Sequence, residues 1–133
     1  PEAQLHQHFM SALDELVRWQ DASTPSTLPP YDHAVLMREM GLFQDWYIAQ
    51  HKGLTLSESE LADLLRVQER IASVNQLGPQ VFVHRDFMAR NLMVGHDGRL
   101  GVVDFQDALY GPVTYDIASL MHSTIGKTSA SWM

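Results

Sequence analysis

The sequence predicts a mostly helical α+β domain that carries a small β-hairpin. Three observations support this. Long stretches place apolar residues at three- and four-residue intervals, the mark of one-faced helices. Only a short region, Val81 to Val103, breaks into apolar runs short enough to be strands. Within it, Gly95-His96-Asp97-Gly98 is a turn signal between two such runs. A chain of 133 residues with 45% apolar and 19% charged residues is long enough to bury a core as one domain.

In chain order, Leu5, Phe9, Ala12, Leu13, Leu16 and Val17 form the apolar stripe of a leading helix over residues 2–20. Asp21 to Pro30 contains Ser23, Pro25, Ser26, Pro29 and Pro30, cannot continue a helix, and reads as a linker and the one seam in the chain. Asp32 can cap a second helix in which Leu36, Met40, Phe43, Trp46 and Tyr47 recur at helical spacing, with Gly41 as the place for a bend. Such an aromatic stripe is expected in the core, with Arg38, Glu39 and Asp45 on a solvated face. Ser57-Glu58-Ser59-Glu60 is a capping box, with Leu56 and Leu61 at the staple positions. The helix it opens should turn Leu61, Leu64, Leu65, Ile71, Ala72 and Val74 inward, support the strand that follows, and stop at Gly78-Pro79.

The chemistry concentrates between Val81 and Asp107. Val81-Phe82-Val83 reads as a buried strand, so His84-Arg85-Asp86 leaves it as a loop with Asp86 presented at its tip. Asn91 opens the run Leu92-Met93-Val94, and the turn at residues 95–98 returns the chain through Leu100-Gly101-Val102-Val103 to Asp104. A hairpin of this kind brings Asp104 back beside Asn91. One neutral oxygen ligand and one carboxylate, with phosphates and water in the other positions, suit Mg²⁺. Asp86 stands clear of that pair and is free to accept a proton from an attacking hydroxyl. Asp107 is either a turn former or a substrate contact. Asp116, just ahead of Ile117-Ala118-Ser119-Leu120, is a natural helix cap. Arg85 and Arg90 bracket the loop and could neutralise phosphate charge or pair locally with a carboxylate.

His84-Arg85-Asp86, four residues and Asn91 match the kinase catalytic-loop pattern, and Asp104-Phe105 occupies the metal-binding position, with Gln106 where glycine is usual. Together with Gln106-Asp107-Ala108, Gly111-Pro112 and Tyr115-Asp116-Ile117-Ala118-Ser119-Leu120, the stretch resembles the aminoglycoside phosphotransferase and choline kinase-like family. Within that family it looks most like the bacterial N-acetylmuramate/N-acetylglucosamine anomeric sugar kinases, a likeness extended by Met37-Arg38-Glu39-Met40 and Phe43-Gln44-Asp45-Trp46-Tyr47. The resemblance implies the C-terminal lobe of a protein-kinase-like fold, with 1–24 as leading helix and linker, 25–121 as catalytic core and 122–133 as tail.

The same resemblance implies that Asp86 is the catalytic base and that Asn91 and Asp104 hold Mg²⁺; Arg90, as a cation beside the loop, is a further candidate for nucleotide binding. It makes His84 a structural support of the loop and Asp116 a buried anchor, and places Glu39 and Asp45 near the acceptor; Arg85 is a further candidate support of the loop and Asp107 a candidate substrate contact. Gly111-Pro112 would be a turn. The implied activity is transfer of the γ-phosphate of ATP to a hydroxyl of a small molecule, an amino sugar by the subgroup. The alternatives are an aminoglycoside or a choline- or homoserine-type acceptor, a non-catalytic kinase-like binding module, and a metal-dependent phosphohydrolase using His84, Asp86, Asp104 and Asp107.

Other features narrow the class. Only eight residues separate Asp107 from Asp116, too few for a peptide-binding platform, so a protein substrate is disfavoured. The net charge of −7 and scarcity of Lys and Arg argue against nucleic acid. No stretch approaches the roughly 18 apolar residues of a membrane span, and the absence of cysteine fits a reducing cytoplasm. Gly95, Gly98 and Gly101 lie inside the hairpin, which makes them a poor phosphate cradle. Lysine occurs only at Lys52 and Lys127, neither after a suitable strand, and no glycine-rich strand turn precedes the catalytic loop. The expectation is therefore that the N-terminal nucleotide lobe is missing and that these 133 residues alone transfer little or no phosphate.

Overall fold

The computed structural model describes residues 2–130. The chain divides into two compact units, one built from the chain up to Pro30 and from Gln80 onward, the other from Tyr31–Pro79. The α+β, mostly helical class is as expected.

In the first unit, α1 (Glu2–Asp21) lays Ala12 and Leu16 against Phe87 of the loop and Leu120 of α4 (Tyr115–Ala130). Phe9 and Leu13 continue that face, while Leu5 and Val17 at its margins remain exposed. β2 (Leu92–Val94) and β3 (Leu100–Val102) form the expected antiparallel hairpin, with Leu92 opposite Val102 and Val94 opposite Leu100. β3 alternates with the two-residue period of a strand, whereas in β2 both Met93 and Val94 are exposed. Leu92, Leu100 and Val102 pack onto the α1 core, and Met93 points to solvent. The turn closes through Gly98, whose φ of +76° is a conformation that disfavours any side chain.

β1 (Gln80–Val83) pairs antiparallel with β4 (Leu109–Pro112), Val81 facing Gly111 and Gln80 facing Pro112. Gly111-Pro112, expected as a turn, is thus the end of a strand. Tyr110, two residues earlier in β4, turns its amide away from β1 to the Pro29 carbonyl, so the missing N–H of Pro112 likewise falls off the β1 ladder. The Asp21–Pro30 stretch is likewise more ordered than a linker. Ser23 Oγ accepts the Phe82 amide at 2.6 Å, Pro29 accepts the Tyr110 amide at 2.8 Å, and Pro30 bridges Tyr110. The seam therefore falls at its end, after Pro30, with a second crossing at Pro79/Gln80.

The second unit consists of α2 (His33–Leu42), a π-helix over Phe43–His51, and α3 (Glu58–Asn75). Asp32 caps α2 by accepting the Val35 amide at 3.0 Å. The helix widens into the π-helix at Phe43, two residues after Gly41. That widening overturns the expected aromatic core. Phe43, Trp46 and Tyr47 are all exposed. Phe43 stacks on Tyr47 at 5.3 Å and Tyr47 on His51 at 5.5 Å, so the rings cover one another along the helix surface instead of inserting into a neighbour.

The stripe of α3 is also narrower than its apolar residues suggest. Gln68 and Ala72 are buried, whereas Leu65, Ile71 and Val74 are exposed. Gln68 Nε2 donates to the Met40 carbonyl at 3.0 Å, and Gln76 Nε2 to that of Tyr31 at 2.9 Å. A side chain of this kind satisfies a carbonyl where the two helices approach, which an apolar residue cannot do.

The capping box is present in both directions. Glu60 donates its amide to Ser57 Oγ at 3.4 Å, and its carboxylate accepts the Ser57 amide at 2.8 Å. The Ser57 hydroxyl and amide together hold the Glu60 carboxyl below its ordinary value of 4.5. Because that folded-state value is depressed, the cap's contribution is present above pH 4.5 and lost as the pH falls through the folded value. Hydrogen exchange of the first-turn amides of α3 should accordingly show protection at pH 6 that fades on acidification, and Glu60→Gln should flatten the profile.

Among the described residues, no helix is long and apolar enough to cross a membrane. Trp132, in the expected tail, lies outside the described residues, and α4 runs unbroken to Ala130.

Candidate active site

The site lies in the first unit, where β1 ends. Its loop is held at two points. Before the tip, the amides of His84 and Arg85 donate to the two carboxylate oxygens of Asp116, at 2.7 and 3.0 Å. After it, Phe87 is fully buried in the α1 core. Burying a phenylalanine contributes about 1.5–3 kcal/mol, enough to fix where the chain leaves the loop. Asp86, between the two anchors, remains half exposed, its side chain directed away from the core. The reversal passes through Arg85 at φ +76°, a left-handed conformation uncommon outside glycine and held here by the flanking bonds.

Asp116 is the second residue of α4, and its oxygens serve the loop some thirty positions upstream, not its own helix as a cap would. Burial pushes its carboxyl above the ordinary 3.8, and the amides of His84 and Arg85 act against that rise. Desolvation therefore outweighs two charge-assisted bonds.

His84 is 1% exposed. Its Nε2 lies 3.0 Å from the Val103 carbonyl. A carbonyl only accepts, so Nε2 carries the proton and His84 supports the loop through a donated bond. The ring also packs against Trp19 and Phe87, at centroid distances of 5.7 and 6.0 Å.

Asn91 joins the loop to the hairpin. Its Nδ2 donates to the Asp86 carbonyl at 2.9 Å, and its own carbonyl accepts the Val103 amide at 3.0 Å. The first bond occupies the amide nitrogen, so Oδ1 is the atom of this side chain that could serve a cation. The second places Asp104, one residue past Val103, beside the start of the hairpin. Asp104 is exposed at φ +67°, and its Oδ1 accepts from Gln106 Nε2 at 2.7 Å. These donors are all oxygens, as a hard divalent cation requires. Among the described residues, no three His, Cys, Asp or Glu side chains gather into a metal-holding group. The phosphohydrolase ligand set of His84, Asp86, Asp104 and Asp107 is therefore not assembled.

The remaining candidates are placed as follows. Arg90 Nη2 lies 3.9 Å from Asp86 Oδ1 with both side chains largely in solvent, a pairing worth about 0–1 kcal/mol. Arg85 Nη1 reaches the Asp107 backbone carbonyl at 3.4 Å, and the Asp107 side chain is exposed. Glu39 and Asp45 belong to the second unit. Glu39 is half-buried and accepts the Tyr31 hydroxyl, while Asp45 is exposed on the π-helix. Two contributors escaped the sequence reading: Phe87, which looked like any loop aromatic, and Gln106, visible only as a departure from glycine.

A family model described as a phosphotransferase enzyme family matches residues 1–132. The chain is 48% identical over 112 residues to an N-acetylmuramate/N-acetylglucosamine kinase of Pseudomonas aeruginosa, covering 84% of this chain and 33% of that protein. Proteins of the same name in Pseudomonas putida and Neisseria meningitidis are 45% and 42% identical, with 84% and 85% of this chain and 33% and 34% of theirs covered. The chain thus spans about a third of the length of the curated relatives it matches. A match over almost every residue, including the loop, the hairpin and the Asp116 anchor, places the chain in the APH phosphotransferase enzyme family.

Proposed function

We propose that this chain is the acceptor-side lobe of an ATP-dependent small-molecule kinase that phosphorylates a hydroxyl of an amino sugar of the N-acetylmuramate/N-acetylglucosamine type. The observation that carries it is the double anchoring of the loop by Asp116 and Phe87, which leaves Asp86 in solvent beside the Asn91–Val103 link to Asp104. The names of the relatives supply the acceptor class.

In this reading Asp86 accepts the proton of the acceptor hydroxyl and orients its oxygen toward the phosphoryl group. Asn91 Oδ1 and Asp104 would hold Mg²⁺, which would supply charge neutralisation to the phosphates. Phosphoryl transfer passes through a loose transition state, so alignment and charge neutralisation matter more than strength of the nucleophile. With a net charge of −7, the protein offers no general basic field, and cations near the loop, such as Arg90, are the available local complement to phosphate.

The full-length protein supplied with ATP and Mg²⁺ should consume ATP with N-acetylmuramate and with N-acetylglucosamine, and not with choline or an aminoglycoside. Consumption with choline or the aminoglycoside alone would move the acceptor to another branch of the family. Phosphate release from an ester without ATP would overturn the kinase reading.

A further inference from the structure

We propose that Gln106 is a positioning residue for Asp104: its side-chain amide holds one carboxylate oxygen so that the other is presented to the divalent cation. This rests on Asp104 being a metal ligand and names the group that aims it.

Gln106 Nε2 lies 2.7 Å from Asp104 Oδ1. A carboxylate only accepts hydrogen bonds, so chemistry itself identifies the nitrogen as the facing atom of the amide. The backbone explains the contact. Asp104 takes φ +67° as the chain leaves β3, and the Ala108 amide closes a turn onto the Phe105 carbonyl at 3.1 Å.

The choice of glutamine has a physical consequence. Asp104 is exposed, and a free carboxylate there would rotate among its staggered positions, so capturing a cation would require freezing it. Glutamine removes that freedom in advance. Being neutral, it neither repels the cation, as lysine would, nor competes for it, as glutamate would. Glycine at this position could do none of this. Groups that hydrogen-bond a ligating carboxylate commonly set metal affinity by 10–100-fold.

The test uses Gln106→Leu, which keeps bulk without the donor, and Gln106→Gly, which removes the side chain. Mn²⁺ alone is titrated into the full-length protein and the free ion followed by electron paramagnetic resonance. Both variants should bind Mn²⁺ about 10–100-fold more weakly. The Mg²⁺ concentration for half-maximal turnover should rise in parallel, with KM for the acceptor and the metal-free melting temperature unchanged. Asp104→Asn serves as the reference. If it abolishes Mn²⁺ binding while both Gln106 variants, or the glycine variant alone, keep wild-type affinity, the orienting role is wrong and Asp104 remains the ligand. If Asp104→Asn leaves Mn²⁺ binding intact, the metal reading fails and takes the role of Gln106 with it.

Discussion

Asp86→Asn in the full-length protein is expected to lower kcat by about 10²–10⁴-fold, the range of a positioned general base. Asparagine keeps the shape of the side chain but cannot take the acceptor's proton. The variant should fold normally, because what ties residue 86 to its neighbours is the backbone carbonyl held by Asn91, not the carboxylate. The ion pair of that carboxylate with Arg90, at 3.9 Å, contributes little in solvent. Melting temperature and Mn²⁺ affinity should therefore match the wild type while steady-state turnover collapses. Full turnover in Asp86→Asn would remove Asp86 from the chemistry and favour a binding role for the loop. The loose transition state places the expected loss toward the lower end of that range, since much of the rate derives from alignment that the variant retains.

Asp116→Ala should have the largest effect on stability. It strands the amides of His84 and Arg85, and an unsatisfied buried donor costs about 1–3 kcal/mol. The loop loses its upstream anchor, so turnover should fall with stability even though Asp116 touches no reactant. Asp116→Asn is milder, because its one oxygen can still accept while its amide nitrogen faces the second donor. The pH dependence separates these effects. The folded-state carboxyl titrates above its ordinary value because burial opposes its charge, so its contribution to stability is complete below about pH 3.8 and disappears as the pH rises through the folded value. In urea unfolding, the advantage of wild type over Asp116→Asn should grow as the pH is lowered from 7, the reverse of a salt-bridged carboxylate. A constant difference across that range would show that the two amide bonds cancel the cost of burial.

Elements whose determinants are local were legible from the chain alone. Asp32 and the Ser57/Glu60 pair bond within three residues of themselves, so their caps depend on nothing distant. The hairpin from Leu92 to Val102 follows from two apolar runs and a glycine turn. The loop motif and its hairpin also place Asp86, Asn91 and Asp104 in order, because the turn leaves little choice about where Asp104 returns. Reading apolar spacing as burial succeeded for Ala12 and Leu16 and failed for Leu65, Ile71 and Trp46. Spacing states which residues share a face, but burial needs a second surface to cover it.

What the amino-acid order determined by itself is therefore the short-range part of this protein: its caps, its hairpin and the sequence of oxygen-bearing side chains around it. The three-dimensional fold decided the rest. It sent Asp116 to the His84 and Arg85 amides instead of its own helix, buried Phe87 so that Asp86 stands clear, and left the rings of Phe43 and Tyr47 stacked in solvent. A buried acceptor takes whichever donors chain closure brings to it. That meeting depends on the packing of α1, α4 and the hairpin together, which no window of neighbouring residues contains.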